Sequence, residues 1–260
     1  MPDEAKKGER IAKVMARAGV CSRRDAEKLI AKGVVAVNGV TVGTPAFFVK
    51  PDDSIVADGK PVPVKEPTRV WRYHKPAGLI VSHNDEKNRK TVFETLPAGM
   101  PRVISVGRLD FNSEGLLLLT NDGAFSRYAE MPSTGWVRRY RVRIHGKMTE
   151  EAKNALEQGV TVDGIAYKGV KVVIDKEQNA NQWLTVSLTE GKNREIRKLM
   201  AHFGYDVTRL IRVAYGPFQL GMLPRGAVEE VSAKVLREQI GAKAGILLPE
   251  KRGNRSKKGA

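Results

Sequence analysis

Residues 105–123 read SVGRLDFNSEGLLLLTNDG. An apolar run (Val103, Ile104, Val106) stops at Gly107, a polar turn follows, and a second apolar run opens at Leu116. Short apolar runs bounded by turn residues predict two strands with a loop between them. Asp110 then sits at the end of a strand, on a loop that a rigid sheet holds in place. The residues alone leave two readings of it: a carboxylate placed to act as nucleophile or base, or a turn former. Asp122, in the TNDG turn, reads as a turn former or helix cap.

On either side of this stretch the chain is rich in strand pattern. RVWRYHKP, RVISVGRL, GLLLLTND, GWVRRYRVRIHG, GVTVD, KGVKVVID and QWLTVSLTEG are apolar or alternating runs bounded by Gly, Asn, Asp or Pro. Helical periodicity interrupts them at TEEAKNALEQG, REIRKLMAHFG and SAKVLREQI. The economical assignment for residues 67–242 is a mixed, mostly antiparallel sheet flanked by helices, which makes the fold class α+β.

Two of these segments carry further candidates. In REIRKLMAHFG, Ile196, Leu199, Met200 and Phe203 repeat at helical spacing and define a buried stripe. On that wheel Arg194 and Lys198 fall on the far side, while Arg197 falls on the shoulder of the apolar face. Its guanidinium either reaches a partly buried carboxylate, keeping the acid ionised and fixed, or packs its stem and snorkels to solvent. In WVRRYRVRI, alternation puts Arg139, Arg141 and Arg143 on one face of a strand and Tyr140 on the inner face. An inward aromatic among cations suits stacking on a base pulled out of an RNA helix, and equally suits a core tyrosine.

The first segment is a separate small module, residues 9–66, with residues 1–8 expected to be flexible. RIAKVMARAG places Ile11, Val14, Met15 and Ala18 at helical spacing and ends at Gly19. Ser22, three residues ahead of Asp25, caps a second helix that buries Ala26, Leu29 and Ile30 and stops at Gly33. VVAVNGVTVG then alternates around Asn38-Gly39, a strong hairpin signal. Arg23 and Arg24 at the second helix start give the unit a basic edge. KEPTR (65–69) reads as an interdomain linker. At the other end, residues 243–260 finish in KRGNRSKKGA and are expected to form a disordered basic tail.

Composition narrows the function. The 45 Lys and Arg against 29 Asp and Glu leave a formal charge of +16, which favours a polyanionic partner, nucleic acid first. No apolar run approaches the roughly 20 residues a membrane span needs, and MPDEAKKGER opens without an apolar signal region. One cysteine, Cys21, rules out an internal disulfide and fits a reducing compartment. His74, His83, His145 and His202 have no ligand spacing, so no metal is expected. GxxxxGK[ST], GxSxG, HExxH and helix-opening GxGxxG are all absent, which leaves nucleotide hydrolysis, serine hydrolase chemistry and a dinucleotide cofactor without support.

Residues 9–66, and CSRRDAEKLIAKGVVAVNG in particular, resemble the S4 RNA-binding domain. Behind them, HKPAG (74–78), GRLDFNSEGLLLLTNDG, RRYRV and EGKNREIRKLMAHFGYDVTRLIRVAYGPFQLGMLPRG resemble, in order, the motifs of the pseudouridine synthases that modify ribosomal RNA. The branch is that of small-subunit synthase A and large-subunit synthases B, E and F. The resemblance implies a cofactor-free isomerisation of uridine, with Asp110 as the essential aspartate, Tyr140 as the base-stacking tyrosine and Arg197 as the salt-bridge partner of the aspartate. It makes Arg108 a candidate to fill the space left by the flipped nucleotide. Arg23, Arg24, Lys75, Arg194 and Lys198 are the further cations expected to contact RNA. The wording of NREIRKLM and LIRVAYGPFQLGMLPRG resembles the B-type synthases more than the small-subunit type, implying large-subunit rRNA, free or in an assembling particle. A monomer in a bacterial cytoplasm is the expected setting. Ser113 stands where threonine is usual, and Arg139 where an acidic residue or lysine is common.

Overall fold

The computed structural model describes residues 8–64, 66–241, 246 and 248. The N-terminal unit contains β1 (Glu9–Arg10), α1 (Ile11–Arg17), α2 (Arg23–Ala31), β2 (Val35–Val37), β3 (Val40–Thr41), β4 (Phe48–Val49), β5 (Ile55–Ala57) and β6 (Lys60–Pro61). Its elements follow the sequence signals. Ser22 Oγ accepts from the backbone N–H of Asp25 at 3.1 Å and caps α2. Asn38 and Gly39 take left-handed φ values of 50° and 81°, so a two-residue turn joins β2 and β3 with Val37 opposite Val40. Ile11, Met15, Ala26 and Ile30 from the helices meet Val35, Val37, Val49 and Ile55 from the strands in one buried core.

The larger unit runs through β7 (Val70–Lys75), β8 (Ile104–Val106), β9 (Glu114–Thr120), α3 (Gly123–Glu130), β10 (Arg138–His145), α4 (Glu150–Gln158), β11 (Val160–Val162) and β12 (Ile165–Tyr167). It continues with β13 (Lys171–Gln178), β14 (Asn181–Leu188), α5 (Glu195–His202), β15 (Val207–Tyr215), β16 (Phe218–Gln219), β17 (Val228–Glu230) and α6 (Ala233–Ile240). The sheet order is β13-β14-β10-β15-β9-β7-β17, with β16 beside β15 and β8 beside β9. Every strand pair in it is antiparallel except β15 with β9, where Ile211 lies opposite Glu114 and Arg212 opposite Gly115. This is the mixed, mostly antiparallel sheet expected. β9 is buried on both faces, which is why its sequence is continuous leucine rather than alternating. Leu116 and Leu118 face a core shared with Phe125 and Leu236, while Leu117 and Leu119 face Trp71, Tyr73 and Val103. A third core joins α4 and α5 to the other half of the sheet through Val142, Leu184, Val186, Leu156 and Leu199.

The structure adds detail at three places. The KEPTR linker is tied down at its far end: buried Thr68 donates its Oγ1 to Asp122 Oδ2 at 2.7 Å, and the Arg69 N–H donates to Asn121 Oδ1 at 2.8 Å. Two residues of the segment 243–260, expected as a disordered tail, are described and are packed. Ile246 is only 9% exposed and Leu248 packs beside it on the α3–α6 core, because the apolar run GILL precedes the basic end. The rest of that tail, like residues 1–7, lies outside the described residues. Finally β15, the central strand that carries the parallel pairing, is absent from the strand patterns of the sequence.

Candidate active site

Gly115 fixes the geometry from which the site is built. Its φ of +104° is left-handed, and a Cβ there would stand 2.3 Å from the Arg212 carbonyl oxygen and 2.7 Å from its nitrogen. Only glycine lets β9 approach β15 this closely. The approach places the loop before β9 against the strand that leads from α5.

That loop is fastened by its carbonyls. Lys75, 0% exposed at the end of β7, donates its Nζ to the backbone oxygens of Ser113 (2.9 Å), Pro76 (3.0 Å), Asp110 (3.1 Å) and Phe111 (3.3 Å). The Gly78 N–H donates to the Phe111 oxygen at 2.8 Å, and Arg197 Nη2 donates to the Asn112 oxygen at 3.2 Å. Four consecutive carbonyls, 110 to 113, are thus engaged, and the Asp110 side chain, 29% exposed, leaves a rigid turn. Burial pulls the Lys75 ammonium down to about 8, while Asp110 and Glu114 oppose that shift. Lys75 is therefore not the RNA-contact cation expected of it. It is a strut beneath the aspartate, because the strand end that holds it is covered on both faces.

Above the loop a cavity of about 430 Å³ is lined by Arg108, Asp110, Tyr140, Lys192, Arg194 and Glu195, among others. A second hollow of about 590 Å³ shares Arg108, Asp110 and Arg194 and extends past Phe111 to Arg89. Asp110, Tyr140, Arg108 and Arg194 are thus brought together at one cleft. Lys198 lines neither hollow, and Arg23 and Arg24 are exposed at the start of α2 in the N-terminal unit.

The expected ion pair between Arg197 and Asp110 is not formed. Arg197 donates to the carbonyls of Val207 (3.0 Å) and Asn112, and its buried Nε has no partner. Burial and the neighbouring Arg194 lower the Arg197 guanidinium from its ordinary value, with Asp110 opposing. The cation nearest the carboxylate is Arg194, whose Nη1 stands 3.9 Å from Asp110 Oδ2. Helical spacing sends Arg194 to the far side. It does not apply, because α5 starts one residue later and Arg194 has a left-handed φ of 51° that turns its side chain back to the cleft. A non-glycine residue held there costs about 1–3 kcal/mol, strain of the kind found at functional sites.

Two carboxyls that sequence reasoning misses brace this turn. Glu195, 4% exposed, accepts the Lys192 N–H on Oε2 at 2.8 Å, and its buried Oε1 finds no donor. Glu190 accepts from the Lys168 N–H and from Lys192 Nζ at 2.9 Å, and its carboxyl lies within hydrogen-bond reach of Glu195. Burial pushes Glu195 up to about 7, with the neighbouring Glu190 adding to the rise and Lys192 opposing it. No sequence signal marks this, since a glutamate at the first turn of a helix ordinarily faces solvent. Arg138 is also hidden in the pattern: it is buried, donating to Tyr215 Oη at 2.9 Å.

Among the described residues no group of three or more His, Cys, Asp or Glu is placed to hold a metal ion, and no helix is long and apolar enough to cross a membrane.

Residues 69–202 match the RNA pseudouridylate synthase family and residues 9–55 match the S4 domain. A Rickettsia felis protein named as an uncharacterized RNA pseudouridine synthase is 46% identical over 230 residues, covering 88% of this chain and all of the relative. The ribosomal large subunit pseudouridine synthase B of Salmonella typhimurium is 42% identical over 233 residues, covering 86% of this chain and 79% of the relative. A crystal structure of a pseudouridylate synthase shares the fold with a TM-score of 0.64 at 23% identity, over 89% of this chain and 99% of that one. With an S4 domain ahead of a sheet whose central glycine presses an aspartate loop into a cationic cleft, this chain belongs to the RNA pseudouridine synthase family.

Proposed function

We propose that this enzyme isomerises a uridine of large-subunit ribosomal RNA, with Asp110 as the essential carboxylate. The observation that carries the reading is the rigid placement of Asp110 at the mouth of a cavity shared with Tyr140, Arg108 and Arg194. The C1′–N1 bond of uridine breaks, the uracil turns, and a C1′–C5 bond forms while the C5 hydrogen leaves to water and N1 gains a proton. Asp110 either attacks or removes a sugar proton; its fixed backbone suits both. Arg194 faces the carboxylate, Arg197 holds the loop through Asn112, and Tyr140 stacks on the flipped base. Leaving the stack costs a few kcal/mol, which Tyr140 stacking and the cations of the cleft offset. Arg108, exposed at the junction of both hollows, fills the vacated place in the RNA.

The large subunit is favoured through the likeness to the Salmonella synthase named for it. A monomer working in the cytoplasm completes the reading. The test uses unmodified large- and small-subunit RNA carrying tritium at uridine C5. Release of about one equivalent from large-subunit RNA is expected; release from small-subunit RNA alone would overturn the target and keep the reaction.

A further inference from the structure

The sheet face turned away from the catalytic cleft carries cations that the reaction does not use. Along β10, Tyr140, Val142 and Ile144 face the cleft and the α4–α5 core, so Arg139, Arg141 and Arg143 face the other way. Strand register sets Trp183 of β14 and Arg209 of β15 on either side of Arg143, with Thr185 beside Arg141 and Ser187 beside Arg139. The guanidinium carbons of Arg141, Arg143 and Arg209 lie 5.0, 5.9 and 6.0 Å from the Trp183 ring. On the next strand Lys171 is exposed and Val173 is 44% exposed. Helices α4 and α5 pack on the opposite face, and among the described residues no helix covers β13, β14 and β10 here.

The charge on this face is far from neutralised. Asp175 stands 3.5 Å from Arg141, and Glu114 accepts from both Arg209 and Arg225. Arg139 and Arg143 have no acidic partner among the described residues, and Arg143 donates only to Thr208 Oγ1. A guanidinium lying on an indole uses its planar face for the contact and keeps its in-plane N–H donors directed outward. Arg141 and Arg143, spaced about 7 Å apart by the strand rise, are thereby held extended over Trp183 with donors beyond those that meet Asp175 and Thr208, and exposed Arg139 continues the row, the geometry that phosphate oxygens accept.

We propose that this face is a second RNA-contact surface, binding the phosphate backbone of an RNA segment outside the catalytic cleft through Arg139, Arg141 and Arg143, with Trp183 beneath the last two. It needs only that the substrate is RNA, and stands whichever ribosomal subunit supplies it.

The test compares the full chain with the triple variant R139Q/R141Q/R143Q on two RNAs that the wild type turns over, a short stem–loop that fills the cleft and a longer fragment that extends beyond it. For the longer RNA, affinity should fall at least tenfold and the slope of log K against log salt should drop by about 2 to 3, roughly 0.7–0.9 for each phosphate lost. On the saturating stem–loop the turnover rate should stay within twofold. The triple lysine variant, which keeps the charge, should recover most of the lost affinity. RNA binding should also quench Trp183 fluorescence, read as the difference from W183F. Unchanged affinity and slope for the longer RNA would overturn the proposal. So would an equal loss on both RNAs, which would assign the arginines to the cleft or the fold. A defect seen only on protein-bearing particles, with naked RNA bound normally, would assign the face to a protein partner and also refute it.

Discussion

At the residue scale the site depends on one strained backbone. Arg194 is held left-handed so that its side chain meets Asp110, and the two roles separate by substitution. Arg194→Gly should relieve the strain, leaving the melting temperature unchanged or higher, yet lose activity about 100-fold or more with the carboxylate's cation gone. Arg194→Ala should lose as much activity and also some stability. A glycine variant with wild-type turnover, measured by product formation at saturating RNA, would remove Arg194 from the site. Glu195 makes a prediction about pH. Its folded-state pKa of about 7 exceeds its ordinary 4.5, so the native state binds its proton more tightly than the unfolded chain does. The associated stability is fully present below about 4.5 and is lost as pH rises through about 7. Glu195→Gln keeps the shape and is neutral at every pH. Its melting temperature should therefore decline less than that of the wild type between about pH 4.5 and pH 7. Equal declines would contradict the raised Glu195 carboxyl. Asp110 and Tyr140 are legible because an aspartate after an apolar run and a tyrosine within an alternating strand carry local signatures. Arg194, Glu190 and Glu195 are not, since one left-handed residue breaks the wheel on which such readings rest.

At the scale of elements the parallel pairing of β9 with β15 orders the rest. Gly115→Ala drives a methyl into the Arg212 backbone, an atom set that cannot move without parting the strands. It should cost about 3 kcal/mol or more, against the fraction of a kcal/mol usual for exposed positions, and activity should fall with it. Denaturant unfolding measures the loss, and a shift below about 1 kcal/mol would mean the strands meet differently. The N-terminal helices, the Asn38-Gly39 hairpin, β9, β10 and α5 are readable from caps, turn residues and period. β15 is not, because buried Arg212, which donates to the Leu116 carbonyl at 2.7 Å, occupies an inward position that apolar alternation needs. The same blindness applies to Lys75, whose burial depends on β7 being covered by elements distant in sequence.

For the whole molecule, the two units have separate cores, and an ion pair from Arg17 Nε to Asp122 Oδ1 at 3.4 Å joins them. Asp122 also caps α3 through the Ala124 N–H and binds Thr68, so the larger unit keeps that junction without its partner. Removing residues 1–66 should weaken RNA affinity more than tenfold, in line with the loss of its exposed Arg23 and Arg24, while turnover of a saturating short substrate stays within several-fold. Unaltered affinity would show that the S4 domain does not dock the RNA. The domain order is legible from length, charge and turn chemistry; the ion pair between domains is not, since it falls on an aspartate that local sequence explains as a cap.

The central claim is that Asp110 performs the chemistry in a cleft that binds RNA through other groups. Asp110→Asn changes one oxygen to nitrogen and leaves the loop carbonyls, the cavity and the surrounding arginines in place. Tritium release from C5-labelled large-subunit RNA should vanish in this variant while its RNA affinity stays within several-fold of the wild type. Release at the wild-type rate would contradict the account and return Asp110 to the role of a turn former.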